Sequence, residues 1–128
     1  MKYGCIGEHL SHSFSGEIHK LLCDYDYRLR EIPEGCLDGF MREHDFKAIN
    51  VTIPYKKTVM AFCDVMDDTA RAIGSVNTIV RRADGTLFGD NTDAYGFAAM
   101  IRKSGIDVAR HIYENSHDTK VIFLSAYQ

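Results

Sequence analysis

Short runs with a two-residue period alternate with apolar residues at helical spacing from Tyr3 to about residue 105, and that alternation is the tightest constraint on the fold. Tyr3–Ile6 reads as a strand. Ile18, Leu21, Leu22 and Tyr25 then recur at i, i+3, i+4 and i+7, the stripe of one helix face. Tyr25–Ile32 reads as a second strand closed by Pro33, and Leu37, Phe40 and Met41 as a short helix. Ala48–Ile53 is the clearest strand, ended by Pro54, which cannot donate to a central ladder. Val59, Phe62, Cys63 and Met66 form the next helical stripe, and Ala70–Ile73 one further turn stopped by Gly74. Asn77–Arg82, Asp84-Gly85 and Thr86–Gly89 read as a hairpin, after which Thr92 caps a helix carrying Phe97, Met100 and Ile101 and ending at Gly105.

This order predicts an α/β domain over residues 1–105. Its architecture is a three-layer sandwich: a mostly parallel mixed sheet with one antiparallel hairpin and helices on both faces. Residues 106–118 are polar and weakly periodic, a helix or a linker, and Thr119–Leu124 is a strand-like apolar run. The N-terminal apolar run is too short for a signal peptide or a membrane span, so the chain is expected in the cytoplasm, where it is made. Cys5, Cys23, Cys36 and Cys63 match no zinc or CxxC spacing and are expected to be reduced and mostly buried. With a formal net charge of −3 and no dense Lys/Arg run, nothing points to nucleic acid.

Three polar clusters stand out. Ser11-His12-Ser13-Phe14-Ser15 lies between a strand and a helix, where hydroxyls and a helix N-terminus suit a small carboxylate; Ser15 as a simple helix cap is the competing reading. In Asn50-Val51-Thr52-Ile53-Pro54-Tyr55-Lys56, alternation puts Asn50 and Thr52 on one strand face, a costly burial that a polar ligand would relieve. Lys56 follows at the strand-to-helix turn, where its amine either reaches the same space or is that of a solvated surface lysine. Asn77 and Asp90-Asn91-Thr92-Asp93 form the third cluster, in which Asp93 also suits a helix first turn on electrostatic grounds alone. His9, His12 and His19 have no metal-ligand spacing, so no metal site is expected. The ten glycines contain neither GxGxxG nor a P-loop.

Taken together, these clusters resemble the shikimate dehydrogenase family. Gly7-Glu8-His9-Leu10-Ser11-His12-Ser13-Phe14-Ser15-Gly16-Glu17-Ile18-His19 resembles the family's G-x-P-x-x-H-S-x-S-P-x-x-H. Asn50–Lys56 resembles N-V-T-[IV]-P-[FY]-K, Gly74–Thr78 resembles G-A-[VI]-N-T, and Gly89–Ala94 resembles G-x-N-T-D-G. The resemblance implies that Ser13 and Ser15 hold a carboxylate and that Asn50, Thr52, Asn77 and Asp93 hold ring hydroxyls. It makes Lys56 and Asp93 the catalytic pair. The partner is then shikimate or 3-dehydroshikimate, and NADP the cofactor of hydride transfer in aromatic amino acid biosynthesis. His9 and Gly16 depart from the family's prolines, Lys20 from an asparagine and Ala94 from a glycine; none removes an implied ligand.

The family continues into an NADP-binding Rossmann domain. Lys120–Leu124 resembles its first strand, but Ser125–Gln128 stands where the glycine-rich turn would be. The chain is therefore expected to lack that domain, as a truncated or frame-disrupted product whose residues 119–128 are its remnant. Alone it should bind shikimate weakly, bind no NADP and show no dehydrogenase activity. The apolar tail should dock on its own domain or on a second copy, with a homodimer favoured. The alternatives are a non-catalytic module binding shikimate- or quinate-like acids and an inert remnant.

Overall fold

The computed structural model describes residues 1–43 and 45–104. They fall in two compact units, Met1–Asn91 and a second that begins at Thr92. The first unit holds strands β1 (Tyr3–Gly7), β2 (Tyr27–Glu31), β3 (Ala48–Val51), β4 (Val65–Met66), β5 (Thr78–Arg81) and β6 (Leu87–Asp90). Its helices are α1 (Ser15–Leu22), α2 (Leu37–Glu43) and α3 (Asp68–Ile73), with a 3-10 helix at Thr58–Phe62. α4 (Thr92–Ser104) opens the second unit. The expectations for residues 106–118 and 119–128, including the homodimer, lie outside the described residues.

The six strands form one sheet in the order β2-β1-β3-β5-β6-β4. β1 is parallel to β2 and β3, β5 is antiparallel to β3 and β6, and β4 is parallel to β6. Five strands therefore share one direction, as expected of a mostly parallel mixed sheet, and β5 alone runs against them. Its hairpin with β6 turns through Gly85, at φ 89°.

Alternation along each strand separates the two faces. Ile6, Ile49, Val51, Ile79 and Leu87 point into the core, where Leu37 and Met41 of α2, Ala70 of α3, Val59 and Phe46 pack on them. The opposite face carries the cross-strand row Leu29, Cys5, Asn50, Thr78 and Asp90. α1 lies over this face at the β2 edge, where His19 stacks on Tyr27 with ring centroids 3.7 Å apart.

Several local readings need correction. β3 ends at Val51, two residues before the predicted end, and β2 begins at Tyr27 rather than Tyr25. The stripe Val59–Met66 is not one helix: the 3-10 helix stops at Phe62, and Val65 and Met66 pair with Phe88 and Gly89. Asp64 N donates to Leu87 O and Asp67 N to Gly89 O, at 2.9 Å each, while the Asp64 carboxylate accepts from Leu87 N. These backbone donors are satisfied by β6 instead of by a continued helix. Asp67 then caps α3 by accepting from Thr69 N, and Gly74 ends it in the left-handed region, as its sequence position predicted. The α1 stripe buries nothing fully: Leu21 is 87% and Leu22 68% exposed.

The cysteines are less buried than expected, since Cys23 and Cys36 are exposed. Burial raises the thiols of Cys5 and Cys63 to about 11 each, opposed at Cys5 by the Lys56 charge and reinforced at Cys63 by Asp64. At about pH 8 an aromatic disulfide reagent will therefore label Cys23 and Cys36 quickly and the other two only on unfolding. Rapid labelling of a third thiol in the native protein would contradict this arrangement.

Candidate functional site

Topology gathers three of the sequence clusters. β1 and β3 are adjacent and parallel, so the loops after Gly7 and Val51 leave from the same sheet edge. β5 is antiparallel, so Asn77, just before its first residue, arrives at that edge, and β6 ends there at Asp90. Backbone bonds tie the pieces together. Thr52 N donates to Ile6 O at 2.9 Å, Val51 N to Asn77 O at 2.7 Å, and Asn77 N to Asp90 O at 3.0 Å. Strand ends in such sheets leave unpaired backbone and polar side chains facing a crevice, where ligands bind.

The two outgoing loops touch. A Cβ built on Gly7 would lie 2.6 Å from the Thr52 methyl carbon and 3.2 Å from Ile53 O, so only glycine allows this approach. The first loop is held by Leu10 N, which donates to the Glu31 carboxylate at 2.7 Å, and by Ser13 N, which donates to Leu10 O at 2.9 Å. The Ile53–Pro54 bond in the second loop is cis.

Ser15 is not the cap of α1. The helix begins at Ser15 itself, the preceding Phe14 makes no side-chain cap, and the Ser15 hydroxyl is engaged elsewhere. Ser13 Oγ donates to Ser15 Oγ at 3.1 Å and accepts from Ser15 N at 3.3 Å. Ser15 opposes the upward shift of the phenol of Tyr27, a strand residue outside the four motifs. Tyr27 Oη donates across β1 to Asn50 Oδ1 at 2.7 Å. Asn50 Nδ2 donates to Thr78 Oγ1 at 3.2 Å, and Thr78 Oγ1 to Asn77 Oδ1 at 3.1 Å. The buried-polar cost expected at Asn50 is thus offset by protein groups, Tyr27 and Thr78.

Burial pushes the Tyr27 phenol well above its ordinary range, with Cys5 and Tyr25 adding to the rise and Ser15 opposing it, so Tyr27 stays a donor at neutral pH. Partial burial lowers the His19 imidazole stacked on it. Lys56 is half-buried at the same edge, and its backbone carbonyl accepts from Val76 N at 2.9 Å. Its charge opposes the upward shift that burial gives the Cys5 thiol. Asn77 is 7% exposed, and neighbouring Asn91 is 4% exposed with its amide donating to Ser75 O. Asp93 sits in the first turn of α4, in the second unit. Ser13, Ser15, Asn50, Thr52, Lys56 and Asn77 therefore share one sheet edge, with Ser13 bonded to Ser15 and Asn50 linked to Asn77 through Thr78. Among the described residues no His, Cys, Asp and Glu cluster could hold a metal ion. No helix there is long and apolar enough to cross a membrane.

A 40%-identical relative, the NADP(+) shikimate dehydrogenase of Clostridium beijerinckii, matches 86% of this chain, and the chain spans 43% of that relative's length. The crystal structure of shikimate dehydrogenase 1 from Peptoclostridium difficile is 38% identical with a TM-score of 0.70, over 80% of this chain and 41% of that one. The Thermus thermophilus shikimate 5-dehydrogenase in complex with NADP(H) and shikimate is 31% identical with a TM-score of 0.73, over 82% of this chain and 42% of that one. Residues 5–79, which carry three of the four motifs and most of the sheet edge they meet at, match the shikimate dehydrogenase substrate binding domain, and the chain belongs to that family.

Proposed function

We propose that the chain holds shikimate or 3-dehydroshikimate for NADP-dependent hydride transfer. The observation that carries this reading is that two hydrogen-bonded groups, Ser13–Ser15 and Tyr27–Asn50–Thr78–Asn77, meet at one sheet edge. At one end are hydroxyls suited to a carboxylate, at the other amides suited to ring hydroxyls. The ring carboxylate sits on Ser13 and Ser15, and Asn50, Thr52 and Asn77 take ring hydroxyls. Asp93 joins them on the strength of its motif. Oxidising the ring alcohol removes a hydride from carbon and a proton from oxygen. Lys56 holds or moves that proton at the ring oxygen, with Asp93 as its polar partner. A cytoplasmic location goes with this biosynthetic role.

NADP supplies the hydride acceptor when bound. The described residues do not fit it: the glycines at positive φ, Gly35, Gly74 and Gly85, lie in three separate turns and form no phosphate cradle. No step is therefore assigned to residues of this chain at the nucleotide.

NMR titration of the 128-residue chain with shikimate at millimolar concentrations tests the reading. Amide shifts concentrated at Ser13–Ser15, Asn50–Lys56 and Asn77 are expected. Shifts scattered over the surface, or none, would refute it.

A further inference from the structure

We propose that Tyr27 is a positioning residue that fixes the amide orientations of Asn50 and Asn77. The proposal deepens the substrate-binding reading and rests on it for the ligand.

The donor and acceptor roles along the chain leave little freedom. A tyrosine hydroxyl has one proton, and the Tyr27 proton goes to Asn50 Oδ1 at 2.7 Å. That contact sets which end of the Asn50 amide is oxygen, so Nδ2 must face Thr78 Oγ1. With Thr78 Oγ1 accepting from Asn50, the Thr78 proton goes to Asn77 Oδ1. The Asn77 amide is thereby oriented as well, its oxygen turned to Thr78 and its Nδ2 turned away. Tyr27 touches neither Thr78 nor Asn77 in this chain of bonds, yet sets the polarity of both.

Tertiary structure places the phenol for this role. The order β2-β1-β3 puts Tyr27 two strands from Asn50, and its hydroxyl reaches Asn50 across β1. The ring is clamped from above by His19 of α1, stacked at 3.7 Å with planes 7° apart. That stack also holds α1, which starts at Ser15, against β2.

Tyr27→Phe removes only the hydroxyl and keeps the ring on His19. The expected result in the free chain is a changed chemical shift and faster exchange of the Asn77 side-chain amide, three hydrogen bonds from the altered atom. The backbone spectrum of the core strands stays as in the wild type. The wild-type chain titrated with shikimate should bind about tenfold more tightly than Tyr27→Phe. Combined with Thr78→Val, Tyr27→Phe should cost less than in the wild-type background, since both changes cut the same chain. An unmoved Asn77 side-chain amide, or equal affinities in a chain that does bind, overturns the proposal. If the wild type binds no shikimate, the substrate reading fails, and the Asn77 amide alone decides the positioning role.

Discussion

Replacing Ser13 and Ser15 together with alanine is expected to weaken shikimate binding by about 100-fold. A hydrogen bond to a charged group contributes about 1.5–3 kcal/mol, and each 1.4 kcal/mol is a tenfold change in affinity. Two such bonds are at stake, and part of their loss is recovered because Ser13 and Ser15 bond each other when no ligand is present. The change should act on the charge of the ligand, so the wild type should discriminate strongly between shikimate and its methyl ester while the double variant should not. Both side chains are half-exposed and outside the core, Ser13 in the loop and Ser15 at the first position of α1, so the melting temperature should fall little. Calorimetry with both ligands measures the discrimination. A threefold loss or less, or unaltered discrimination, would remove the serines from the carboxylate site. Lys56 would then be the group left at this edge to meet an anion.

Gly4→Ala is expected to be the most damaging small substitution in the sheet, at about 3 kcal/mol or more. A Cβ at position 4 would lie 2.0 Å from the backbone oxygen of Arg28 and 2.5 Å from Met1 Sδ. The methionine can turn aside, but the Arg28 oxygen belongs to β2, which pairs with β1 through five registered residues. Strand separation would be the main relief, and it would break the ladder that holds Tyr27 opposite Tyr3. With total stabilities of about 5–15 kcal/mol for such domains, a cost of this size moves a substantial part of the chain to the unfolded state. Urea unfolding monitored by circular dichroism gives the value; a loss under about 1 kcal/mol would show that the β1–β2 contact can relax.

The elements read correctly from sequence are those whose signals are local. β1, the β5–β6 hairpin with Gly85 at its turn, and α3 between Asp67 and Gly74 each carry their own start or stop chemistry. The misread stretch is Val59–Met66, where the helical spacing of apolar residues is genuine but the backbone donors of Asp64 and Asp67 pair with β6. A two-residue strand has too few residues to show a period, so only its partner identifies it. The serine loop, the Asn50–Lys56 turn and Asn77 were selected by motif, and the fold brings them to one edge. Tyr27 lies outside every motif, because a tyrosine in a strand looks like an ordinary packing residue, and nothing local to His19 at the end of the first motif shows that it stacks on Tyr27.

The sequence by itself therefore determined the fold class, the family and the polar residues that sit at strand ends, because periodicity, turn chemistry and motif spacing are properties of contiguous residues. Tertiary structure alone decided which of those residues speak to one another. Tyr27 reaches Asn50 across 23 positions of sequence because β2 lies beside β1 and β1 beside β3. Strand order depends on which crossover packs best against the whole sheet, and no local run of residues encodes it.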